Sequence, residues 1–232
     1  MEHYFLLILV KREAMLLDLL FPNRCLHCTR MIEAHEWICS ACWDQVALAH
    51  YDFNGTNDFA KRCRVHFPIE NAYALFEFVK SSPVQMAIHQ LKYKHREIIG
   101  RFFAELFISK LSELPSEIDL ITYIPIHEKK RRDRGYNQLT QFCSIIGNHF
   151  KIPVEHNALI RKIHRKAQAQ KSKEERYITQ NIFECTQPYH GTHFLLIDDV
   201  YTTGNTIASA AWQLLKSGEG NKISVLVMAE DK

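Results

Sequence analysis

The stretch FLLIDDVYTTGNT at residues 194–206 decides the fold, because it joins a buried strand to a charged turn. The apolar run FLLI is typical of a strand that helices cover on both faces, as in a parallel sheet. Asp198 and Asp199 follow this run, and a helix is predicted at about residues 205–217. We therefore predict an α/β fold whose two carboxylates stand at the carboxyl end of a strand, where open parallel sheets bind ligands.

Strand and helix patterns alternate along the rest of the chain. Aromatic, β-branched and continuous apolar runs predict the strands, and amphipathic spacing predicts the helices. The predicted strands are residues 72–79, 118–125, 193–198 and 222–230, with a short strand-like stretch near 158–163. The predicted helices are residues 13–20, 83–94, 97–113 and 135–150, in addition to the one at 205–217. This order predicts a parallel sheet flanked by helices.

The turn after the acidic pair has the composition of a phosphate site. Gly204 allows close approach of the backbone, and the free amides at a helix N-terminus attract an anion. Two carboxylates beside such a site would repel the same anion. The conflict disappears for a ligand that carries a phosphate at one end and hydroxyls or a magnesium-bound group at the other. The residues predicted to hold the phosphate are Thr202, Thr203, Gly204, Asn205 and Thr206.

At every class-defining position, residues 194–206 resemble the signature of type I phosphoribosyltransferases, which bind 5-phosphoribosyl-1-pyrophosphate (PRPP) with Mg²⁺. The resemblance implies a phosphoribosyltransferase-like sheet in which Asp198 and Asp199 act at the catalytic site by contacting the ribose 2′ and 3′ hydroxyls. It also implies that residues 202–206 hold the 5′-phosphate. The expected reaction is that of a pentosyl glycosyltransferase.

Basic residues are concentrated in two segments, 127–134 and 161–176. They hold twelve Lys and Arg against four acids, a net charge of +8 in a chain whose total is +3. Such a concentration favours a polyanionic ligand, either a phosphorylated small molecule or nucleic acid, although two solvated basic loops would have the same composition. The first segment follows the predicted strand 118–125, so Lys130, Arg131 and Arg134 are candidates for binding pyrophosphate.

The stretch RGYNQ at residues 134–138 is similar to the RGFNQ signature of the ComF family of competence-associated proteins, whose members are ComFC- or GntX-like. Further similarity lies in residues 91–100, 165–183 and the cysteine segment preceded by LLFPNRC. The resemblance implies a role in DNA uptake or processing, with single-stranded DNA and other competence proteins as partners. It also implies a lid at residues 164–180 that carries Arg165, Lys173 and Arg176. An exposed helical loop with ordinary charge pairs is the alternative for this segment.

Four cysteines have the spacing of a tetrahedral zinc site, Cys25-x2-Cys28-x10-Cys39-x2-Cys42. Four thiolates leave no open position, so the predicted Zn²⁺ is structural, with free thiols as the alternative. Thr29 and Arg30 stand where zinc knuckles usually carry glycine. The aromatic residues Trp37 and Trp43 flank the second pair, either to pack this small module or to stack on bases. Cys63, Cys143 and Cys185 are predicted free thiols.

Length and composition predict one α/β domain with an appended module. We assign residues 1–14 to a possible N-terminal extension, since Met15 is a second plausible start, 15–60 to the zinc module and 61–232 to the phosphoribosyltransferase-like domain. The apolar run at 5–10 is too short for a membrane span. We therefore expect a cytoplasmic protein without membrane insertion. An enzyme that transfers a phosphoribosyl group is favoured, and a non-catalytic PRPP-responsive DNA-binding factor is the alternative.

Overall fold

The computed structural model describes residues 22–33, 36–93, 96, 98–111, 113–115, 117–127, 132, 135–161 and 182–231. The predicted helix at 13–20 and the predicted lid at 164–180 lie outside these residues. Within them, no helix combines the length and the apolar character that crossing a bilayer requires.

The main sheet consists of four parallel strands, β1 (Ala72–Glu77), β2 (Leu120–Tyr123), β5 (His193–Tyr201) and β6 (Lys222–Glu230). Across the sheet their order is β1-β6-β5-β2. Its central strands are long, continuous apolar runs, and almost every residue in them is buried because helices cover both faces. A parallel bridge from Ile121 to Val154 extends the sheet beyond β2. The predicted parallel sheet is confirmed.

A second, antiparallel pair consists of β3 (Leu159–Arg161) and β4 (Phe183–Cys185). The strand-like stretch predicted near 158–163 is therefore real, but it pairs with β4 and stands outside the main sheet. β4 was not predicted, since three residues give too short a pattern for alternation to be recognised.

Helices pack on both faces of the main sheet. Leu195 and Ile197 of β5 point into one apolar cluster, and Phe194 and Leu196 point into the other. The helices α3 (Pro83–Leu91), α4 (Ile98–Lys110) and α5 (Thr140–Phe150) pack into the first cluster. The helices α2 (Asp58–Arg64) and α6 (Asn205–Leu215) pack into the second. A further helix with described bounds is α1 (Ser40–Trp43).

The helix predicted at 135–150 begins only at Thr140. Gly135 has a φ of +86°, and the Asn137 side chain accepts a hydrogen bond from the amide of Leu139 at 3.0 Å. This side-chain turn competes with helical hydrogen bonding, as asparagine commonly does. The residues before α5 are consequently a loop that approaches the carboxyl end of the sheet.

The cysteine segment packs against the helices of the first cluster. The Trp37 ring lies 5.8 Å from the ring of Phe102 in α4, and Gln90 at the end of α3 donates to the backbone oxygen of Leu26 at 2.6 Å. Both Trp37 and Trp43 pack against the core. The packing role of these tryptophans therefore has structural support, in contrast to base stacking.

Candidate functional site

The four predicted zinc ligands come together. Their sulfur atoms all lie within 4.8 Å of one another, with Cys25, Cys39 and Cys42 buried and Cys28 exposed. Thr29, where a knuckle usually has glycine, takes a left-handed φ of +61° and so supplies the turn without it. Four thiols in one small cluster fit a structural Zn²⁺, which confirms the predicted module.

Opposing effects act on the thiols of this cluster. Burial raises the pKa of Cys25, but hydrogen bonds from the backbone at Cys39, Cys28 and His27 outweigh it and bring the value to about 6. Burial raises the pKa of Cys42 to about 12, helped by its hydrogen bonds with Cys28 and Cys39. The ring nitrogen Nδ1 of His27 lies 3.3 Å from the sulfur of Cys42, outside the set of four cysteines. Four thiolates at this spacing need a cation between them.

The acidic pair lies within β5 near its carboxyl end. The prediction ended this strand at Asp198, but pairing with β6 continues from Asp198 opposite Val227 to Tyr201 opposite Glu230. On the other side, β2 ends at Tyr123, opposite Ile197. The pair therefore stands just past the end of β2, on an edge of β5 that no described strand covers.

Each carboxylate has its own partners. An oxygen of Asp198 accepts a hydrogen bond from the amide of Asp199 at 2.8 Å. The Oδ2 atom of Asp199 lies 2.9 Å from Nζ of Lys92 and accepts from Nε2 of Gln138 at 3.1 Å. Both aspartates are buried, at 7% and 8% exposure. Lys92 and Gln138 were not predicted as members of the site, because one follows α3 and the other precedes α5.

Burial raises the pKa of the Asp198 carboxyl well above its usual value, and the neighbouring charge of Asp199 raises it further. The amide of Asp199 and the charges of Lys92 and Arg161 act in the opposite direction. Two carboxylates held this close in a buried position resist simultaneous ionisation. A ligand that donates hydrogen bonds or brings positive charge would relieve this repulsion.

The predicted phosphate turn follows directly after Tyr201. Gly204 has a φ of +76°, which favours glycine, and it begins α6. A Cβ atom at this position would lie 2.4 Å from the hydroxyl of Tyr201 and 2.9 Å from the His66 ring. No described side chain caps α6, and Thr202 and Thr203, just before its first turn, are exposed. This is the arrangement that binds anions at helix N-termini.

A buried cluster supports the turn from below. The ring of Tyr201 packs edge-to-face on Phe59 of α2 at 5.0 Å, and the guanidinium of Arg62 lies 5.9 Å from the Tyr201 ring. Arg62 also forms an ion pair with buried Glu230 at the end of β6. Sequence alone gave no signal for these contacts, since α2 and the turn are more than a hundred residues apart.

A cavity of about 590 Å³ opens beside the end of β2. In its wall the Tyr123 hydroxyl lies 3.1 Å from Oγ1 of Thr140 and 3.0 Å from Nδ1 of His156. Asn137 and Arg161 also line the cavity. The charge of Arg161 acts on Asp198, and Asn137 precedes Gln138, which contacts Asp199. The cavity and the acidic pair are therefore neighbours.

The basic candidates fall where no description is given. Lys130, Arg131 and Arg134 of the predicted pyrophosphate segment, and Arg165, Lys173 and Arg176 of the predicted lid, lie outside the described residues. They stay predictions.

Residues 16–52 of the chain match the double zinc ribbon domain, a family of known proteins. This range holds all four clustered cysteines and supports the structural zinc.

Curated relatives carry competence and DNA-related names. The chain is 32% identical over 130 residues to Competence protein ComFC of Bacillus subtilis, covering 55% of this chain and 51% of the relative. It is 25% identical over 215 residues to Competence protein F of Haemophilus influenzae, covering 85% and 93%. It is 28% identical over 145 residues to DNA utilization protein YhgH of Escherichia coli O157:H7, covering 59% of this chain and 63% of that protein, so it spans less than two thirds of that length. The predicted similarity to ComF-type proteins is confirmed.

Two enzymes among the solved structures show a partial likeness to this chain. One is the glutamine PRPP amidotransferase of Bacillus subtilis with ADP and GMP, at a TM-score of 0.37 and 16% identity, covering 60% of this chain and 26% of that one. Another is the adenine phosphoribosyltransferase of Trypanosoma brucei with AMP, pyrophosphate and ribose-5-phosphate, at 0.36 and 14%, covering 67% and 82%.

Proposed function

We propose that this chain binds PRPP at the carboxyl edge of the main sheet and transfers its phosphoribosyl group to an acceptor. One observation carries the proposal: a buried pair of aspartates and an uncapped, glycine-containing helix N-terminus follow each other on β5 and α6. The first suits a diol and the second suits a phosphate, and PRPP presents both on one ribose ring.

The acidic pair would bind the ribose. The ribose hydroxyls would donate hydrogen bonds to Asp198 and Asp199. These carboxylates are buried and have little contact with water, so they gain from such donors. Because burial and the charge of Asp199 raise the pKa of Asp198, hydroxyl donors would stabilise the ionised form. Lys92 and Gln138 would hold Asp199 in place from the side opposite the ligand.

The turn would bind the 5′-phosphate. The amides that begin α6 and the hydroxyls of Thr202, Thr203 and Thr206 would supply the donors, and Tyr201 beneath Gly204 would keep the loop in its left-handed conformation. Mg²⁺, when bound with PRPP, would neutralise charge on the pyrophosphate, close to the carboxylates. The basic segment after β2 would bind the same group through Lys130, Arg131 and Arg134.

In the transfer step, the bond from ribose C1′ to the pyrophosphate oxygen breaks and a bond from C1′ to a nucleophilic atom of the acceptor forms. Pyrophosphate leaves with the bonding electron pair, and the acceptor loses its proton to solvent or to a base. Stabilisation of the departing charge by basic side chains would provide most of the catalysis. The cavity beside β2 offers about 590 Å³ next to this reaction centre.

Titrations with parts of PRPP test the two-ended binding. We expect PRPP with Mg²⁺ to bind more tightly than ribose 5-phosphate, and ribose 5-phosphate to bind measurably on its own. Pyrophosphate released in the presence of candidate acceptors would then establish turnover. Equal affinity for PRPP and for pyrophosphate alone would contradict binding of the ribose and its 5′-phosphate.

A second candidate is a non-catalytic, PRPP-responsive protein that handles single-stranded DNA together with other competence proteins. The net charge of +8 in the two basic segments favours it, as do the names of the relatives. Such a protein would bind single-stranded DNA with an affinity that falls steeply with salt, and it would release no pyrophosphate. None of the seven cysteines forms a disulfide, which fits the reducing cytoplasm that we propose as its location.

A further inference from the structure

A second cavity, of about 400 Å³, lies between the cysteine module and the end of α3. On one side it is lined by residues around the first cysteine pair of the module, including Arg24 and Thr29. On the other side it is lined by Gln90, Tyr93 and Arg96. The proposed PRPP site does not use any of these side chains.

Two guanidinium groups line this cavity, and none of its described lining residues is an acid. Arg24 donates from one terminal nitrogen to the backbone oxygen of Thr29 at 3.0 Å, which restrains the side chain without neutralising its charge. Within the described part of the chain, neither Arg24 nor Arg96 forms an ion pair with a carboxylate. Both side chains are exposed, as solvated arginines usually are. What distinguishes them is that hydrogen bonds hold the residues around the cavity in place.

The frame of the cavity is tied together by hydrogen bonds. Nε2 of Gln90 donates to the backbone oxygen of Leu26 at 2.6 Å and so joins the module to α3. The hydroxyl of Tyr136 lies 2.7 Å from the backbone oxygen of Leu91 and 2.6 Å from that of Tyr93. The backbone beneath Tyr93 is therefore held from the opposite side.

An aromatic ring completes the lining. The ring of Tyr93 makes an edge-to-face contact with the ring of His89 at 5.0 Å, and Tyr93 remains 56% exposed, so its ring is accessible to a ligand. A guanidinium recognises phosphate through paired N–H donors, and an open tyrosine ring provides a stacking surface for a planar base. Phosphate and a planar base occur together in a nucleotide.

We propose that this cavity is a nucleotide site in which Arg24 and Arg96 bind the phosphate and Tyr93 stacks on the base. The ligand is a free nucleotide or one nucleotide unit of a single strand, which share this chemistry. The site is distinct from the proposed PRPP site, although Lys92, between Gln90 and Tyr93, contacts Asp199. The proposal does not require PRPP binding.

The test uses the zinc-loaded full chain carrying Asp198→Asn and Asp199→Asn, which removes the ribose contacts of the proposed PRPP site. Phosphate binding at residues 202–206 is then the same in every variant compared and cancels in the differences. Calorimetric titrations use inorganic phosphate, adenosine 5′-monophosphate and a short single-stranded oligothymidylate. We expect Arg24→Gln with Arg96→Gln to weaken nucleotide binding by about tenfold to a hundredfold, because two charge-assisted contacts are lost. Arg30→Gln, an exposed arginine of the same module outside the cavity, is the matched control and should change little.

Further variants separate charge from geometry. Arg24→Lys with Arg96→Lys should restore only part of the affinity, since lysine lacks the planar fork. Tyr93→Leu should weaken the nucleotide but not inorganic phosphate. Binding that the Arg24→Gln/Arg96→Gln variant weakens supports the site. If only adenosine 5′-monophosphate behaves in this way, the ligand is a free nucleotide, and if the oligothymidylate does so, a single strand is also accepted. Absence of binding by every probe, or equal affinity in the Arg24→Gln/Arg96→Gln variant at unchanged zinc content, overturns the proposal.

Discussion

The cysteine module and the carboxyl edge of the main sheet both crowd ionisable groups together, but they do so in opposite ways. In the module, four sulfur atoms within 4.8 Å come from one short segment, residues 25–42. At the edge, Asp198 and Asp199 come from β5 and their partners Lys92 and Gln138 from two distant loops. A structural cation can satisfy the thiols permanently, whereas the ionised form of Asp198 remains unfavourable beside Asp199, and a bound ligand would improve this arrangement.

This difference separates a structural site from a functional one. A closed set of four ligands contributes directly to folding. A buried acid whose pKa is raised by burial and by a second acid is destabilising in its ionised form, and such groups are concentrated at binding and catalytic sites.

Loss of a zinc ligand should have the largest effect on stability. We expect Cys39→Ser to lower the zinc content from about one ion per chain and to destabilise the module by about 5 kcal/mol or more, since metal binding and folding are coupled there. Zinc analysis and thermal unfolding measure both effects. Cys185→Ser, a half-buried thiol outside the cluster, is the control and should keep the metal. Full zinc content in the Cys39→Ser protein would contradict the four-ligand site.

Substitution of Gly204 should have the next largest effect. Gly204→Ala adds a methyl group in a left-handed conformation and against the hydroxyl of Tyr201, so we expect about 2–4 kcal/mol of destabilisation together with loss of PRPP affinity. Gly191 has a φ of +60°, and a Cβ atom added there would have no heavy atom within 4 Å. Gly191→Ala therefore reports the backbone strain alone, about 1 kcal/mol.

A double variant separates the steric part at Gly204. Tyr201→Phe removes the hydroxyl that a new Cβ would contact at 2.4 Å, although the ring carbon at 2.8 Å remains. Gly204→Ala combined with Tyr201→Phe should therefore recover part of the stability in urea unfolding. If Gly204→Ala cost no more than Gly191→Ala, the proposed support of the turn by Tyr201 would be wrong.

Neutralising Asp198 should have the smallest effect on stability and the opposite sign. Because the folded-state pKa of Asp198 is raised, ionisation at neutral pH costs stability, so Asp198→Asn should stabilise the protein by about 1 kcal/mol. The wild-type carboxyl of Asp198 contributes its full stabilisation below its unfolded-state pKa, near 3.8. That contribution is lost as the pH rises through the higher folded-state pKa. The advantage of the variant should accordingly vanish below that unfolded value.

Asp199→Asn is the matched comparison. It removes the ion pair with Lys92 and leaves that lysine beside a neutral side chain, so no gain in stability is expected. Unfolding of both variants by urea at neutral and acidic pH gives the two differences. A stabilisation by Asp199→Asn but not by Asp198→Asn would contradict the assignment of the strained charge to Asp198.

Much of the fold was predictable because its signals are local. Four buried strands and the helices between them follow from apolar runs and their spacing, and four cysteines in eighteen residues define the module. The end of β5 was placed three residues too early, because its continuation depends on β6, which pairs with it through Tyr201. The start of α5 was placed too early because the Asn137 turn replaces helical hydrogen bonds.

The site was predictable only in the part that one segment contributes. Within residues 198–206, a pair of carboxylates is followed directly by the turn that is predicted to bind phosphate, so both can be recognised in the sequence. The lysine and the glutamine that contact Asp199 come from residues 92 and 138, and the support under Gly204 comes from α2 and from β6. Contacts between such distant residues depend on sheet order, which local patterns do not encode.

The most direct test of the proposed PRPP site is a calorimetric titration with PRPP and Mg²⁺ of the zinc-loaded wild-type chain and of the Asp198→Asn/Asp199→Asn variant. Glu117→Gln, at the opposite end of the sheet, serves as the control for loss of a carboxylate. We expect saturable binding by the wild type and by Glu117→Gln, and a loss of affinity of about a hundredfold in the Asp198→Asn/Asp199→Asn variant. Equal affinity in the variant, or no binding by any of the three proteins, would contradict the proposed PRPP site.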